Sequence, residues 1–225
     1  MKETSKSVHR RLQNSQFAIR WFVGQGLDIG AGADPLAQYR EFFPAIKAVR
    51  PWNDADGDAQ YLAGVADNSF EFVHAAMALQ RLADPREAVK HWFRVLKPGG
   101  HLVLTVPDED LYEQGRFPSQ FNSEHRWTFT VFKAKSWSPS SINVTDLVQA
   151  LGAQAEVKKI ELLDAAFRYG LPRFDQTLTP VAECAIEVVL RKRPLEESVA
   201  GGRLPRDGGM SAQDVFVLTG LKVQQ

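Results

Sequence analysis

Two glycines stand where a short apolar strand gives way to a helix, in the stretch Gly26 to Pro35. Gly30 and Gly32 would let the backbone approach a ligand with no Cβ atom in the way. A helix beginning near Pro35 would add free N–H groups and a partial positive charge, which suit an anionic group. The residues predict a ligand-binding turn, although a tight strand-to-helix turn also uses glycine for purely steric reasons.

The spacing around these glycines favours one kind of ligand. A dinucleotide fingerprint needs Gly or Ala three residues after the second glycine, and that position is Pro35. Asp28 lies two residues before Gly30, which gives an acidic-x-Gly-x-Gly pattern. This pattern resembles motif I of the class I S-adenosylmethionine (SAM)-dependent methyltransferases, whose loop cradles the methionine half of SAM. The resemblance implies that Asp28, Gly30, Ala31 and Gly32 bind this cofactor.

Further motifs of the same family follow in the family's order. Gly57-Asp58-Ala59 resembles the turn that meets adenine, which implies that Asp58 accepts a hydrogen bond from the exocyclic amine while the adjacent amide of Ala59 contacts a ring nitrogen. Residues 67–73 resemble the segment leading into the fourth strand, and residues 94–100 resemble the run before the fifth. The resemblance covers about residues 20–110. It implies a Rossmann-like α/β fold, with a mostly parallel seven-stranded sheet and helices on both faces.

Two departures from the family pattern fall near the expected mouth of the site. An acidic residue commonly ends the second strand and holds both ribose hydroxyls, but here Arg50 stands there and the next carboxylate is Asp54. Many relatives read Leu-Glu-His-Leu after the fourth strand, where this chain has Leu-Gln-Arg-Leu at 79–82. Asp54 or Asp56 replaces the ribose contact, Trp52 covers the adenine, or SAM binds weakly. The sequence leaves these alternatives open.

A base is needed when a hydroxyl group must lose its proton during methyl transfer. The candidate is His125, with Glu124 to orient it and neighbouring aromatic residues to exclude water; an exposed or structurally paired histidine is the alternative. Asp108, just past the fifth strand, is a second candidate, although at least two members of the acidic run 108–110 are expected to be solvated. No His or Cys residues have metal-ligand spacing, so no metal site is expected.

The elements that must position these residues can be placed along the chain. Apolar periodicity predicts helices over about 5–23, 36–43, 85–96 and 139–151, with Asp84 and Glu87 forming a capping box on the third. Strands are expected before Gly30 and over 46–50, 69–75, 101–106, 156–163 and 183–191. Between 107 and 137 the periodicity disappears, and a loop of this length in a compact domain is usually functional.

This long loop also bears on the methyl acceptor. Its segments 107–115 and 125–129 resemble a subgroup of bacterial methyltransferases that modify small molecules or sugars, some of them in surface-polysaccharide synthesis. Aromatic side chains interleaved with Asn, Gln, Glu and Arg suit stacking on sugar faces and hydrogen bonding to hydroxyl groups. They suit an ordinary hydrophobic lid equally well.

Composition limits the other classes of function. The chain has 225 residues, 44% of them hydrophobic, and equal numbers of basic and acidic residues. Balanced charge disfavours nucleic acid or a membrane surface as the main partner. No apolar run is long enough to span a bilayer and the polar start lacks a signal peptide, so a cytoplasmic protein is expected. We expect one domain over 1–193 and a partly disordered tail over 194–225, in which 214–218 could form an edge strand.

These observations predict a SAM-dependent methyltransferase that O-methylates a small polar acceptor such as a sugar or surface-glycan precursor. The alternative is a non-catalytic protein of the same fold that binds a partner or a glycan, which the replacements at 50, 80 and 81 favour. An NAD-dependent oxidoreductase is disfavoured by Pro35 and by the lack of a Tyr-x-x-x-Lys motif.

Overall fold

Six strands form the central sheet of the computed structural model, which describes residues 2–205. They are β1 (Gly24–Ile29), β2 (Ile46–Trp52), β3 (Phe70–Ala76), β4 (Leu96–Pro107), β7 (Ala155–Leu163) and β8 (Ala185–Lys192). Two short strands, β5 (Thr128–Thr130) and β6 (Ser141–Asn143), form a separate parallel pair. The edge strand expected at 214–218 lies outside the described residues.

The sheet is mostly parallel. Its order is β2-β1-β3-β4-β8-β7; the first four strands run parallel, while β8 and β7 are antiparallel to their neighbours. From β1 the chain moves outward to β2 and then crosses back to place β3 on the other side of β1. In such open sheets, ligands bind at the carboxyl ends of the strands where the order reverses, here between β1 and β3.

The predicted Rossmann-like α/β fold is confirmed, but the strand count of seven is wrong for the described residues. Residues 53–69, between β2 and β3, form a single 3₁₀ turn at Asp54–Asp56 and further turns. A further parallel strand there would need two crossover connections of about a dozen residues each. The segment is too short for them, so β2 is the edge of the sheet.

Within the described part of the chain, four α-helices accompany the sheet: α1 (Glu3–Leu12), α2 (Pro85–Arg94), α3 (Val144–Ala150) and α4 (Leu195–Val199). The helix expected over 5–23 is broken into α1 and a π-helical turn at Phe17–Trp21, and the one expected over 36–43 is a 3₁₀ helix at Leu36–Phe42. The helix expected over 139–151 begins only at Val144, because β6 precedes it. None of the helices among residues 2–205 has the length and apolar character that a bilayer crossing requires.

Helix α2 begins as predicted, at Asp84, but its cap is built differently. The Asp84 side chain accepts hydrogen bonds from the backbone N–H groups of Arg86 and Glu87. Its own backbone N–H donates to Gln60 Oε1 at 2.8 Å. Gln60 therefore takes the place that a capping box would give to Glu87, and Glu87 pairs with Lys90 instead.

Apolar side chains cover both faces of the sheet. On one face, α2, α3 and β5 pack Trp92, Leu147 and Phe129 against the strands. On the other, the segment after α1 contributes Phe17 and Phe22, and the end of the 3₁₀ helix contributes Phe43, to a cluster with Phe72 of β3. These two layers hold the carboxyl ends of β1 and β3 rigidly in place.

Candidate functional site

Two adjoining cavities open at the carboxyl ends of β1 and β3. The first, here called the glycine cavity, has a volume of about 270 Å³ and is lined by the loop 30–34, the start of α1, part of the segment 76–81, and residues 122 and 124. The second, the tryptophan cavity, has a volume of about 370 Å³ and lies between Trp52 and Leu82. Gly30, Arg81 and Glu124 line both, so the two cavities form one continuous cleft.

Gly30 allows a close approach between the glycine loop and the segment after β3. Its φ is +68°, and a Cβ atom there would lie 2.9 Å from the Cβ of Ala78 and 3.3 Å from Nη2 of Arg81. The Arg81 guanidinium therefore lies against Gly30, and it pairs with Glu124 at 3.3 Å. Only glycine gives both the backbone conformation and the room at this position.

Asp28 supports the glycine loop from beneath. Its side chain is buried; Oδ2 accepts a hydrogen bond of 2.7 Å from the backbone N–H of Leu36, and Oδ1 lies 2.6 Å from His74 Nδ1. Arg11 Nη1 donates to the other His74 nitrogen at 3.1 Å. Asp28 contributes to the wall of the glycine cavity, but both of its oxygens already hold the loop and the strand together.

The acidic turn after β2 lines the tryptophan cavity in part. Asn53 and Asp54 line it together with Ala59, and Asn53 Oδ1 accepts a hydrogen bond of 2.9 Å from the backbone N–H of Gly32. Asp58 is exposed, and its carboxylate accepts from the backbone N–H of Gln60. Asp58 lines neither cavity, so of the residues predicted here Asp54 and Ala59 reach the cleft and Asp58 caps a turn beside it.

The start of α1 forms a wall that no sequence motif indicates. Glu3 and Thr4 line the glycine cavity, and the backbone N–H of Ser5 donates to Asp34 Oδ2 at 2.9 Å. Burial raises the pKa of Glu3 to about 7, while the Lys6 ammonium, 3.0 Å away, acts in the opposite direction. A titratable carboxyl group thus faces the cavity near neutral pH.

The electrostatic character of the glycine cavity follows from its wall. Three carboxylates line it, from Asp28, Asp34 and Glu124, together with the titratable carboxyl group of Glu3, against one cationic side chain among the described residues, Arg81. Opposite charges attract strongly in a partly desolvated cleft. The glycine cavity therefore suits a ligand group that carries positive charge.

His125 is buried, and its partners differ from those predicted. Its Nδ1 lies 2.8 Å from Oε1 of Glu113, which is fully buried, whereas Glu124 pairs with Arg81. Its ring packs against that of Tyr112, with ring centroids 4.8 Å apart. The side chain of Gln80 lies on its remaining side, 3.3 Å from Nε2, and it is Gln80 that lines the glycine cavity. His125 is therefore behind the cavity wall rather than in it.

Asp108 and its neighbours anchor the long loop. Asp108 accepts hydrogen bonds from the backbone N–H groups of Asp110 and Leu111, and burial raises its pKa to about 6. Glu109 is fully buried and pairs with Lys133 at 2.7 Å. Further donors to Glu109 are the hydroxyl groups of Thr128, Ser136 and Ser141. Neither carboxylate reaches the cleft, and Glu109 is not solvated.

The aromatic side chains of the loop divide into two sets. Tyr112 and Phe129 are buried, and Trp127 packs against the core. Phe132 and Trp137 are exposed, but neither lines the cleft. Toward the glycine cavity, the long loop presents Asn122 and Glu124, and the segment after β3 presents Met77, Gln80 and Arg81, so most of this face is polar.

Comparison with known proteins identifies the family to which this chain belongs. A family model described as a methyltransferase domain matches residues 6–156, about two thirds of the chain. No curated protein matches the chain.

Solved structures agree with the family model at the level of the fold. A protein from Bacillus halodurans C-125, provisionally assigned as a methyltransferase, is 16% identical with a TM-score of 0.54, over 82% of this chain and 98% of that one. An S-adenosylmethionine-dependent methyltransferase from Mesorhizobium loti is 15% identical with a TM-score of 0.52, over 84% of this chain and 100% of that one.

Proposed function

The chain belongs to the methyltransferase domain family, and on that premise we propose that it transfers the methyl group of SAM to a hydroxyl group of a small polar acceptor, such as a sugar or a surface-glycan precursor. The observation that carries the proposal is the continuous cleft at the carboxyl ends of β1 and β3, where the glycine cavity and the tryptophan cavity meet at Gly30.

Two features of the cleft support SAM as its ligand. The acidic wall of the glycine cavity suits the ammonium and sulfonium groups of SAM, and the backbone of Gly30, Ala31 and Gly32 would approach its methionine half. The tryptophan cavity offers Trp52 and Ala59 for the adenine ring, with Asp54 as the candidate for the ribose hydroxyls. When bound, SAM supplies a methyl group on a positively charged sulfur.

The chain's own residues would mainly align the acceptor with that methyl group. Displacement at a methyl group needs the nucleophile in line with the leaving sulfur, so positioning supplies much of the rate. Asn122, Glu124 and Gln80 could hydrogen-bond acceptor hydroxyls, which supports a polar acceptor over an apolar one. We assign His125 a positioning role, because Gln80 lies between its Nε2 atom and the cavity. The proton that the acceptor hydroxyl loses would pass to the carboxylate of Glu124, which lines the cavity.

The test uses purified protein with methyl-labelled SAM and a panel of sugar nucleotides and methyl glycosides. The proposal expects label in an acceptor and formation of S-adenosylhomocysteine (SAH), with the methyl group on oxygen by mass spectrometry. Label on nitrogen or carbon would contradict O-methylation and leave methyl transfer in place.

A second candidate function is the binding of a partner or a glycan without catalysis. The Arg81 guanidinium lies against Gly30 at the junction of the two cavities, where its positive charge would oppose a sulfonium group. This candidate expects a folded wild-type protein that binds neither SAM nor SAH. If the positive charge of Arg81 is what prevents binding, Arg81→Ala would then create SAM binding.

A further inference from the structure

The amide of Gln80 has a fixed orientation. Gln80 is 1% exposed, and its Nε2 lies 2.8 Å from the backbone carbonyl oxygen of Met77. A carbonyl oxygen can only accept, so the group facing it must be the NH₂ end of the amide. The side-chain oxygen of Gln80 is therefore at the end of the amide that does not face Met77.

This orientation also determines the protonation of His125. Gln80 Nε2 lies 3.3 Å from His125 Nε2, and since the amide nitrogen is a donor, that ring nitrogen must be the acceptor. The proton of the neutral ring then sits on Nδ1, where it is donated to Glu113 Oε1 at 2.8 Å. Glu113 thus holds His125, and His125 holds Gln80.

The loop fixes Gln80 through its backbone as well. The carbonyl oxygen of Gln80 accepts hydrogen bonds from the backbone N–H groups of Arg126 at 2.9 Å and Trp127 at 3.3 Å. Gln80 is therefore one of the residues that join the long loop to the segment after β3, beside the Arg81–Glu124 ion pair. Its side chain has little freedom to turn away from the glycine cavity that it lines.

Two buried oxygen atoms of this assembly lack a hydrogen-bond partner among the described residues. They are Gln80 Oε1 and Glu113 Oε2. Buried polar atoms are nearly always paired with protein, water or ligand, and of these two atoms only the Gln80 oxygen belongs to a residue that lines the glycine cavity. A ligand in the cavity can therefore supply its missing donor. A carbonyl oxygen accepts O–H and N–H groups and rejects other acceptors.

We propose that Gln80 is a specificity-determining residue whose Oε1 accepts a hydrogen bond from a hydroxyl group of the methyl acceptor, with His125 and Glu113 as positioning residues. This rests on the proposed function. The ammonium group of SAM is the weaker donor candidate for this oxygen, since the carboxyl groups of Glu3, Asp28 and Asp34 in the same lining are better partners for a cation. A neutral oxygen suits a neutral hydroxyl.

The test compares Gln80→Met with a matched control. Gln176→Met makes the same change at a buried glutamine that lines neither the glycine cavity nor the tryptophan cavity. Affinities are measured for SAH alone, and for UDP-glucose and methyl α-D-glucopyranoside on SAH-saturated protein. Gln80→Met is expected to weaken the better-bound sugar probe by about threefold to tenfold, the effect of one neutral hydrogen bond, and SAH by a smaller factor. Gln176→Met is expected to leave the sugar affinity unchanged.

A double variant separates positioning from direct contact. If His125 acts through Gln80, His125→Asn weakens sugar binding in the wild type but adds nothing to Gln80→Met. Additive losses, unchanged sugar affinity in Gln80→Met, or no sugar probe held by SAH-saturated wild type would each overturn the assignment. Failure of the wild type to bind SAH would overturn the proposed function and this assignment with it.

Discussion

His74 Nδ1 lies 2.6 Å from Asp28 Oδ1, with both side chains buried in the sheet below the cleft. Arg11 Nη1 lies 3.1 Å from the other ring nitrogen, and because a guanidinium only donates, His74 carries its proton on Nδ1. Arg11 is itself paired with Glu187 at 2.9 Å. A buried polar chain therefore runs from β8 through α1 to the loop that begins at Gly30.

This chain predicts the effect of changing Asp28. In Asp28→Asn the amide cannot accept from both His74 Nδ1 and the Leu36 N–H, so one buried donor loses its partner. We expect a loss of about 1–3 kcal/mol in the free energy of unfolding, measured by urea denaturation. Asp54→Asn is the control: its exposed carboxylate should affect SAH affinity and change stability by less than about 0.5 kcal/mol. Equal stability of Asp28→Asn and wild type would contradict the account.

The two glycines of the loop should respond differently to the same substitution. Both have positive φ, +68° at Gly30 and +52° at Gly32, so alanine strains the backbone at either position. Only at Gly30 would the new methyl group clash, at 2.9 Å from Ala78; at Gly32 its nearest neighbour is 3.8 Å away. Thermal unfolding should show that Gly30→Ala loses about 1–2 kcal/mol more stability than Gly32→Ala. Equal losses would mean that the close approach at Gly30 is unimportant.

The carboxyl group of Glu3 should make stability depend on pH. Its pKa is about 7 in the folded protein against a reference value of 4.5, so the native state holds a proton that the unfolded chain has released. The contribution of Glu3 to the free energy of unfolding therefore falls as pH rises from about 4.5 to 7. The free energy of unfolding of Glu3→Gln, relative to that of the wild type, should therefore rise by up to about 3 kcal/mol between pH 4.5 and pH 8.

The effect of Glu3 is measured as the difference in free energy of unfolding between wild type and Glu3→Gln at each pH. Asp108, with a pKa raised to about 6, adds a fall of the same sign below pH 6, but it is present in both proteins and cancels. Glu41→Gln, at an exposed carboxylate, is the control and should follow the wild type. A constant difference between Glu3→Gln and wild type across this range would rule out the raised pKa.

Nitrogen-15 NMR can test the two buried histidines directly. Each ring should carry a proton on Nδ1, which faces a carboxylate, and none on Nε2, which faces a donor group. Exposed His9 serves as an internal reference without such a partner at Nδ1. A proton on Nε2 of His125 would require the Gln80 amide to turn over, and would contradict the arrangement behind the glycine cavity.

Local signals in the sequence were sufficient for the fold and the glycine loop. The succession of strands and helices along the chain, the turn after β1 and the start of α2 at Asp84 depend on residues close together in the chain. Such patterns follow from backbone conformation and apolar periodicity. The missing strand after β2 could also have been anticipated, since 53–69 is too short to hold it.

The partners of the site residues could not be read in the same way. Glu124 is next to His125 in sequence, yet Glu113 orients the ring, because the turn at Glu109–Glu113 brings a residue twelve positions away against it. Glu3 and Arg11 belong to no motif, and their roles depend on where α1 packs. Asn53 is a general turn residue whose contact with Gly32 exists only because β1 and β2 pair side by side.

Calorimetric titration of purified wild-type protein with SAH, accompanied by SAM and by the Gly30→Ala variant, tests the central claim most directly. The account predicts micromolar binding of both ligands by the wild type and at least about tenfold weaker binding by Gly30→Ala. No binding of either ligand by folded wild-type protein would contradict the claim that the cleft at Gly30 holds SAM, and would leave the non-catalytic candidate in its place.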